Sequence, residues 1–325
     1  MDRVRWGIIG CGDVTEKKSG PGFQKAEGSE LVAVMRRNAD LAKDYAERHN
    51  VPKWYSDADE LIRDNDVDAV YIATRPDSHH EYVRRVAEAG KPIYVEKPMG
   101  FDYRTGLGMV ETANSAGVPL FVAYYRRALQ KYVAVKKMID EGEIGDIRFV
   151  RVTVNRTPDV DPGAKERGEL PWRLRKESAG GGLIMDVGSH GLDLLDYYFG
   201  PISSVAGKAT NQAGLYDVED TVSGHWLFES GIHGVGVWCF VAHETNDYID
   251  IVGSKGHVRL SVLDVPAPVE VTRNGNTKQI SFDPPEHVQQ PLIQMVVNEL
   301  LGKGTCPSTG ESAVRTDWVL EQLRS

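Results

Sequence analysis

Cysteine is scarce in this chain: Cys11, Cys239 and Cys306 are the only three among 325 residues. They are odd in number and far apart, so a disulfide framework is not expected and a reducing, cytoplasmic setting is. No apolar stretch approaches the roughly 20 residues that a membrane-spanning helix requires, so no membrane partner is expected. Positive charge is also in short supply. Lys and Arg number 38 against 47 Asp and Glu, a formal net charge of −9, which argues against a duplex nucleic-acid surface. Low-complexity tracts and repeats are missing too, and Met1 leads almost directly into an apolar segment, so no signal peptide is expected.

What is present is an ordinary globular composition over a length that suggests two domains. Over residues 1–125, short β-branched runs (4–9, 31–35, 69–74, 92–95 and 120–123) alternate with helical patterns (40–49, 58–64, 79–89 and 103–116). That alternation predicts βαβ units, an α/β doubly wound parallel sheet of the Rossmann type. A helix at 130–141 follows, and then the pattern changes. Over 126–325, strand-like segments dominate: 147–155, 203–210, 220–228, 231–243, 248–252, 257–262, 269–272 and 278–282. Hairpin signals at 229–231, 253–256 and 274–276 join several of them. With helices at 188–199, 288–301 and 311–323, the second half reads as an α+β domain on an open, mostly antiparallel sheet. Its last helices either belong to it or return to the first domain.

Chemistry-bearing residues fall at the ends of the expected parallel strands. Gly10-Cys11-Gly12, with Asp13 and Val14 behind it, follows the first strand as a dinucleotide-binding turn would, where glycines let the backbone lie against a pyrophosphate. An ordinary tight turn has the same form. Thr15 stands where the fingerprint has Gly or Ala, and 19–22 interrupts the next helix, with Pro21 suited to a first helical position. After the second strand come Arg36, Arg37 and Asn38 in place of an acidic residue. They are either a 2′-phosphate grip, favouring NADP over NAD, or a solvated basic pair.

Thr74, Arg75 and Pro76 follow the third long strand, where Asp77 or Ser78 is expected to cap the next helix. His79 is expected at the cofactor and His80 at the surface. Glu96-Lys97-Pro98 ends another buried strand, with Pro98 fixing the turn, in one alternative through a cis bond. Lys97 can polarise a carbonyl or stabilise an alkoxide there. The other reading is an ion pair at a strand end.

In the second half, Gly180-Gly181-Gly182 precedes Asp186, His190 and Asp193, which share one stripe if the segment is helical. Asp186 would orient the His190 imidazole for acid/base work. No third ligand has metal spacing, so no metal is expected. Pro171-Trp172-Arg173 offers a ring and a cation, for a ligand or for a hinge.

Taken in this order, the glycine turn, Ala73-Thr74, Glu96-Lys97-Pro98, Arg126-Arg127, the triple glycine and the Asp186, Gly188, His190, Asp193 series resemble the Gfo/Idh/MocA family of oxidoreductases. The resemblance spans nearly the whole chain. It implies that Lys97, Asp186 and His190 are catalytic around a nicotinamide, and that a small polyhydroxylated substrate (sugar, cyclitol or polyol) is oxidised or reduced. It also implies a homodimer or homotetramer formed through the second-domain sheet. Arg36 is similar to the residue of NADP-using members, and Trp172-Arg173 to a pair that contacts NADP. Two alternatives accompany this expectation: a nucleotide-sensing regulator, and glycoside hydrolysis by transient oxidation and elimination. Substrate choice is expected to lie in the 156–176 loop.

Overall fold

In the computed structural model, residues 2–161 and 163–325 are described; Pro162, inside the 156–176 loop, lies outside them. The chain divides into two units. One runs through Leu129 and takes in Pro285–Val314; the other comprises Gln130–Pro284 and Arg315–Ser325.

The first unit is a six-stranded parallel sheet. Its strands are β1 (Val4–Ile9), β2 (Ser29–Met35), β3 (Lys53–Tyr55), β4 (Ala69–Ile72), β5 (Ile93–Val95) and β6 (Leu120–Val122), in the order β3-β2-β1-β4-β5-β6. β4, β5 and β6 are buried at every residue, as strands covered by helices on both faces must be. The edge strand β3 escaped the sequence reading, because three partly exposed residues carry no hydrophobic period.

The helices are α1 (Asp13–Lys17), α2 (Gly20–Lys25), α3 (Ala39–Arg48), α4 (Ala58–Arg63), α5 (Pro76–Glu88) and α6 (Tyr103–Ala116). The expected interruption after the glycine turn is real and separates α1 from α2, with Pro21 in the first turn of α2. Helix α5 starts three residues before the expected 79. Its N-cap is Arg75, with no side-chain capping bond, so the expectation that Asp77 or Ser78 caps it is corrected. Pro76 takes the first helical position, where its missing N–H costs nothing.

The second unit holds an eight-stranded sheet. Its strands are β7 (Ile147–Asn155), β8 (Ile202–Thr210), β9 (Thr221–Phe228), β10 (His233–Cys239), β11 (Asn246–Gly253), β12 (Gly256–Leu260), β13 (Val269–Arg273) and β14 (Asn276–Ile280). Their order is β14-β13-β12-β11-β7-β10-β9-β8, antiparallel except for β7 with β10. All three hairpin signals fall where one strand turns into the next. Asn274 and Gly275 both have positive φ, 50° and 76°, as a two-residue type I′ turn requires.

Helices α7 (Gln130–Asp140), α8 (Lys176–Ala179) and α9 (Ser189–Phe199) accompany this sheet. The segment expected to enter α9 as one helix is split: Ile184–Gly188 is π-helical. Gly188 lies against the sheet, since a Cβ there would come 3.3 Å from Trp238 Nε1. The other sheet face carries Phe149, Val235 and Val237, all more than a third exposed. Among the described residues no helix is long and apolar enough to cross a membrane.

Candidate functional site

In the first unit the strand ends bring the expected cofactor residues to one edge of the sheet. Gly10 adopts φ +91°, and a Cβ on it would stand 2.7 Å from Thr74 Cγ2 and 3.1 Å from the Ala73 carbonyl carbon. Only glycine lets the β1 and β4 ends close up this far. The Gly10 and Cys11 amides both donate to the Met35 carbonyl, at 2.9 and 3.2 Å, drawing the turn toward the end of β2. Cys11 is buried, and burial pushes its thiol up to about 11, so it packs rather than reacts.

Thr15, the departure from the fingerprint, is fully buried. Its hydroxyl accepts from the Gly12 amide at 2.9 Å and donates to the Gly12 carbonyl at 2.8 Å. Tyr45 of α3 donates to the Thr15 carbonyl at 2.9 Å. Glu16 accepts two bonds from Arg48 and contacts His49 Nε2 at 2.8 Å. The polar Thr thereby takes over a locking role, and sequence pattern alone gave no signal for its Tyr45 partner.

Arg36 is partly buried and Arg37 exposed, at the end of β2. The Arg36 charge acts on Cys11 in the glycine turn, opposing the rise of its thiol. Among the described residues neither guanidinium has a hydrogen-bond or carboxylate partner, whereas Arg5, Arg48 and Arg84 are each paired. Asn38 caps α3, its side chain accepting from the Leu41 amide at 3.1 Å.

Thr74 is partly buried and Arg75 exposed. His79 has a different place from the one expected at the cofactor. It is fully buried, with Nδ1 3.1 Å from the Met99 carbonyl and Nε2 3.1 Å from the Thr74 carbonyl. Burial pushes its imidazole below the ordinary value. It ties the β4 loop to the turn after Lys97, whose bond to Pro98 is cis. Glu96 is buried as well, and protein donors engage both its oxygens. Tyr71 and Gln289 donate to Oε1 at 2.5 and 2.7 Å, and the Lys97 amide donates to Oε2 at 3.1 Å. Lys97 is half-buried beside them.

In the second unit, Arg173 Nε donates to Asp186 Oδ2 at 2.9 Å, and its guanidinium lies 4.4 Å from the centre of the Trp172 ring. This joins two expected site elements that sequence reading kept apart. His190 is 7 % exposed and Asp193 1 %, so the expected stripe does not face water. The triple glycine owes its composition to close packing. A Cβ on Gly182 would lie 2.1 Å from the Glu219 carbonyl oxygen, and one on Gly181 2.5 Å from the Arg324 guanidinium. Among the described residues no group of three His, Cys, Asp or Glu side chains is placed to hold a metal ion.

Comparison with known proteins adds to this geometry. The model of an oxidoreductase family with an NAD-binding Rossmann fold matches residues 4–124, and that of a GFO/IDH/MocA C-terminal domain matches residues 132–259. The chain is 37% identical to Oxidoreductase P35 of Formosa agariphila over 98% of each chain. To the 1,5-anhydro-D-fructose reductase of Ensifer adhaerens it is 29% identical, over 95% of this chain and 92% of the other. Its fold is similar to that of a levoglucosan dehydrogenase solved with NADH and levoglucosan (TM-score 0.86, 23% identity, 99% and 96% covered).

Proposed function

The chain belongs to the Gfo/Idh/MocA family of oxidoreductases, and on that premise we propose that it interconverts a hydroxyl and a carbonyl group on a sugar, cyclitol or related polyol, using NADP. The first unit is then the dinucleotide-binding domain, and the second binds substrate and associates with further copies of itself. The observation that carries the cofactor choice is the pair of unpartnered guanidiniums, Arg36 and Arg37, beside the glycine turn. A carboxylate there would accept the ribose hydroxyls and repel a 2′-phosphate, whereas two arginines attract it and can bind it bidentately. The Gly10 cradle, which a Cβ would fill, fits close approach of a pyrophosphate.

The nicotinamide supplies or accepts the hydride when bound. Lys97, at a strand end that Glu96 fixes, stabilises negative charge on the substrate oxygen. His190 exchanges the hydroxyl proton, and Asp186 orients it. The Arg173 contact keeps the Asp186 carboxylate in place from the substrate-loop side. Thr74, Arg75, Pro76, Trp172 and Arg173 complete the cofactor contacts of this reading.

The open face of the second sheet is where copies would meet. There Asp250, 1 % exposed, is gripped by Arg151, Arg259 and His257, with Val235 next to Arg151 in the sheet register. Exposed apolar side chains on a rigid sheet beside a satisfied ionic row suit a self-complementary interface.

Fluorescence titration with NADPH and NADH tests the cofactor choice. Absorbance of NADPH, followed with 1,5-anhydro-D-fructose, other sugars, inositols and deoxy-keto sugars, tests the substrate class. Tighter NADH binding overturns the first, and no turnover across that panel overturns the second.

A further inference from the structure

The first unit contains a polar path that none of the roles above uses. It begins at the break between α1 and α2. A helix that stops leaves its last carbonyls without partners, and here Lys17 and Lys18 are such residues. Both carbonyls are taken by the segment that returns to this unit late in the chain. His287 Nδ1 lies 2.7 Å from the Lys17 carbonyl, and the Gln289 amide donates to the Lys18 carbonyl at 3.1 Å. The His287 ring is held from its other side by Lys25 Nζ, 2.8 Å from Nε2. The Lys17 carbonyl can only accept, so Nδ1 donates to it. The helix Gln290–Leu300 that follows lies against α2 so closely that a Cβ on Gly22 would stand 2.9 Å from Ile293 Cδ1.

From this anchor the Gln289 side chain, itself 1 % exposed, reaches the end of β5. Its Nε2 donates to Glu96 Oε1 at 2.7 Å, and its Oε1 accepts from Tyr94 at 3.4 Å. The two contacts fix which way the amide points. Tyr71 donates to the same Glu96 oxygen at 2.5 Å, and Oε2 accepts the Lys97 amide at 3.1 Å. Burial, reinforced by the Glu96 charge, holds the Tyr71 and Tyr94 hydroxyls far above their ordinary value, so both remain donors. His79, buried on α5, also feels the Glu96 charge. Glu96 is thus a buried side chain that accepts from neutral donors in three separate parts of the chain. One of those donors is the main chain of Lys97.

We propose that Gln289 is a positioning residue for Lys97: through Glu96 it fixes the Lys97 main chain, and through its own amide it ties that point to the α1–α2 junction behind the glycine turn. This rests on Lys97 acting as the oxyanion-stabilising group. The anchoring itself can be read without turnover. Removing the Gln289 amide takes one of the two donors from Glu96 Oε1, and the acceptor of the Lys97 N–H is held less firmly. The break between α1 and α2, a departure from the usual helix start, gains a use as the docking point for the returning segment.

The test is hydrogen exchange at the Lys97 amide, resolved to single residues, in the full-length protein, in Gln289→Met and in Tyr71→Phe. Gln289→Met keeps the volume and removes the amide; Tyr71→Phe removes the other donor to the same oxygen. We expect Lys97 exchange to accelerate about tenfold in Gln289→Met, the equivalent of one ordinary hydrogen bond, and in the same direction in Tyr71→Phe, with β1 amides unchanged. Should Gln289→Met not fold, Tyr71→Phe carries the result. Unaltered Lys97 exchange, or equal acceleration throughout β1 and β4, overturns the proposal. If Lys97→Ala retains turnover, the catalytic reading of Lys97 fails instead, whatever the exchange shows.

Discussion

The two sheets of this protein use their residues in opposite ways. In the parallel sheet the strands β4 to β6 are buried throughout. The residues proposed for chemistry, Gly10, Arg36, Thr74 and Lys97, follow the ends of β1, β2, β4 and β5. In the antiparallel sheet burial alternates, as in β10 with His233, Val235 and Val237 outward and Gly234, Gly236 and Trp238 inward. The residues proposed for chemistry there, Asp186 and His190, sit on the π-helical turn and α9, off the sheet itself. A sheet covered on both faces can present polar groups only where strands stop. A sheet covered on one face has a second surface to offer. On the proposed reading, the first unit serves a cofactor at an edge and the second offers contacts across a face.

The strongest test of that division is Lys97→Ala. Turnover should fall about a hundredfold or more, as when a transition-state donor is lost, while NADPH affinity changes little; near-normal turnover would empty the β5 edge of chemistry. His190→Asn should cost of the order of a hundredfold in turnover and suppress the pH dependence that an acid/base group imposes on kcat. An intact profile would assign His190 to packing and leave the second unit without an acid/base group. Arg36→Asp should erase or reverse the preference for NADPH over NADH, a shift of about tenfold or more in the ratio of dissociation constants. Equal affinities in the unsubstituted protein would mean that the arginines serve solvent alone.

Smaller effects sharpen the contrast between edge and face. Val235→Lys should shift the sedimentation of the native protein toward smaller species and leave the first unit's NADPH affinity intact, because it adds charge to the exposed face beside Arg151. Unchanged sedimentation would remove that face from self-association. The smallest effect is expected at the clamp on α1. Arg48 and His49 hold Glu16 down at about 2 from its ordinary 4.5. A depressed carboxylate stabilises the fold above about pH 4.5 and loses that contribution as pH falls toward 2. Arg48→Ala should therefore lower the melting temperature slightly at pH 7, with the gap closing toward pH 2. A gap independent of pH would mean that Arg48 acts through packing.

Most of the architecture was legible because it rests on local pattern. Buried β-branched runs, glycine turns and Asn274-Gly275 report their own conformation. Helix 103–116 and strand 147–155 match their observed limits, since both have caps or alternation within their own residues. Where the expectation slipped, a short or distant cause was at work. β3 has three residues and no period of its own. The π-helical turn at Ile184–Gly188 follows no residue pattern read from the sequence.

The site divided along the same line. By itself the sequence read Gly10, Arg36 and Lys97 as following strands and His190 as lying on a helix, as the structure has them, because position after a strand or on a helix is a local property. Only the tertiary structure decided what those residues touch. It put His79 in the core between two carbonyls, gave Asp186 to Arg173, let Thr15 lock the glycine turn, and brought Gln289 across a separation of 193 residues to Glu96. A hydrogen bond depends on distance in space, and chain order carries almost no record of distance once the backbone has turned back on itself.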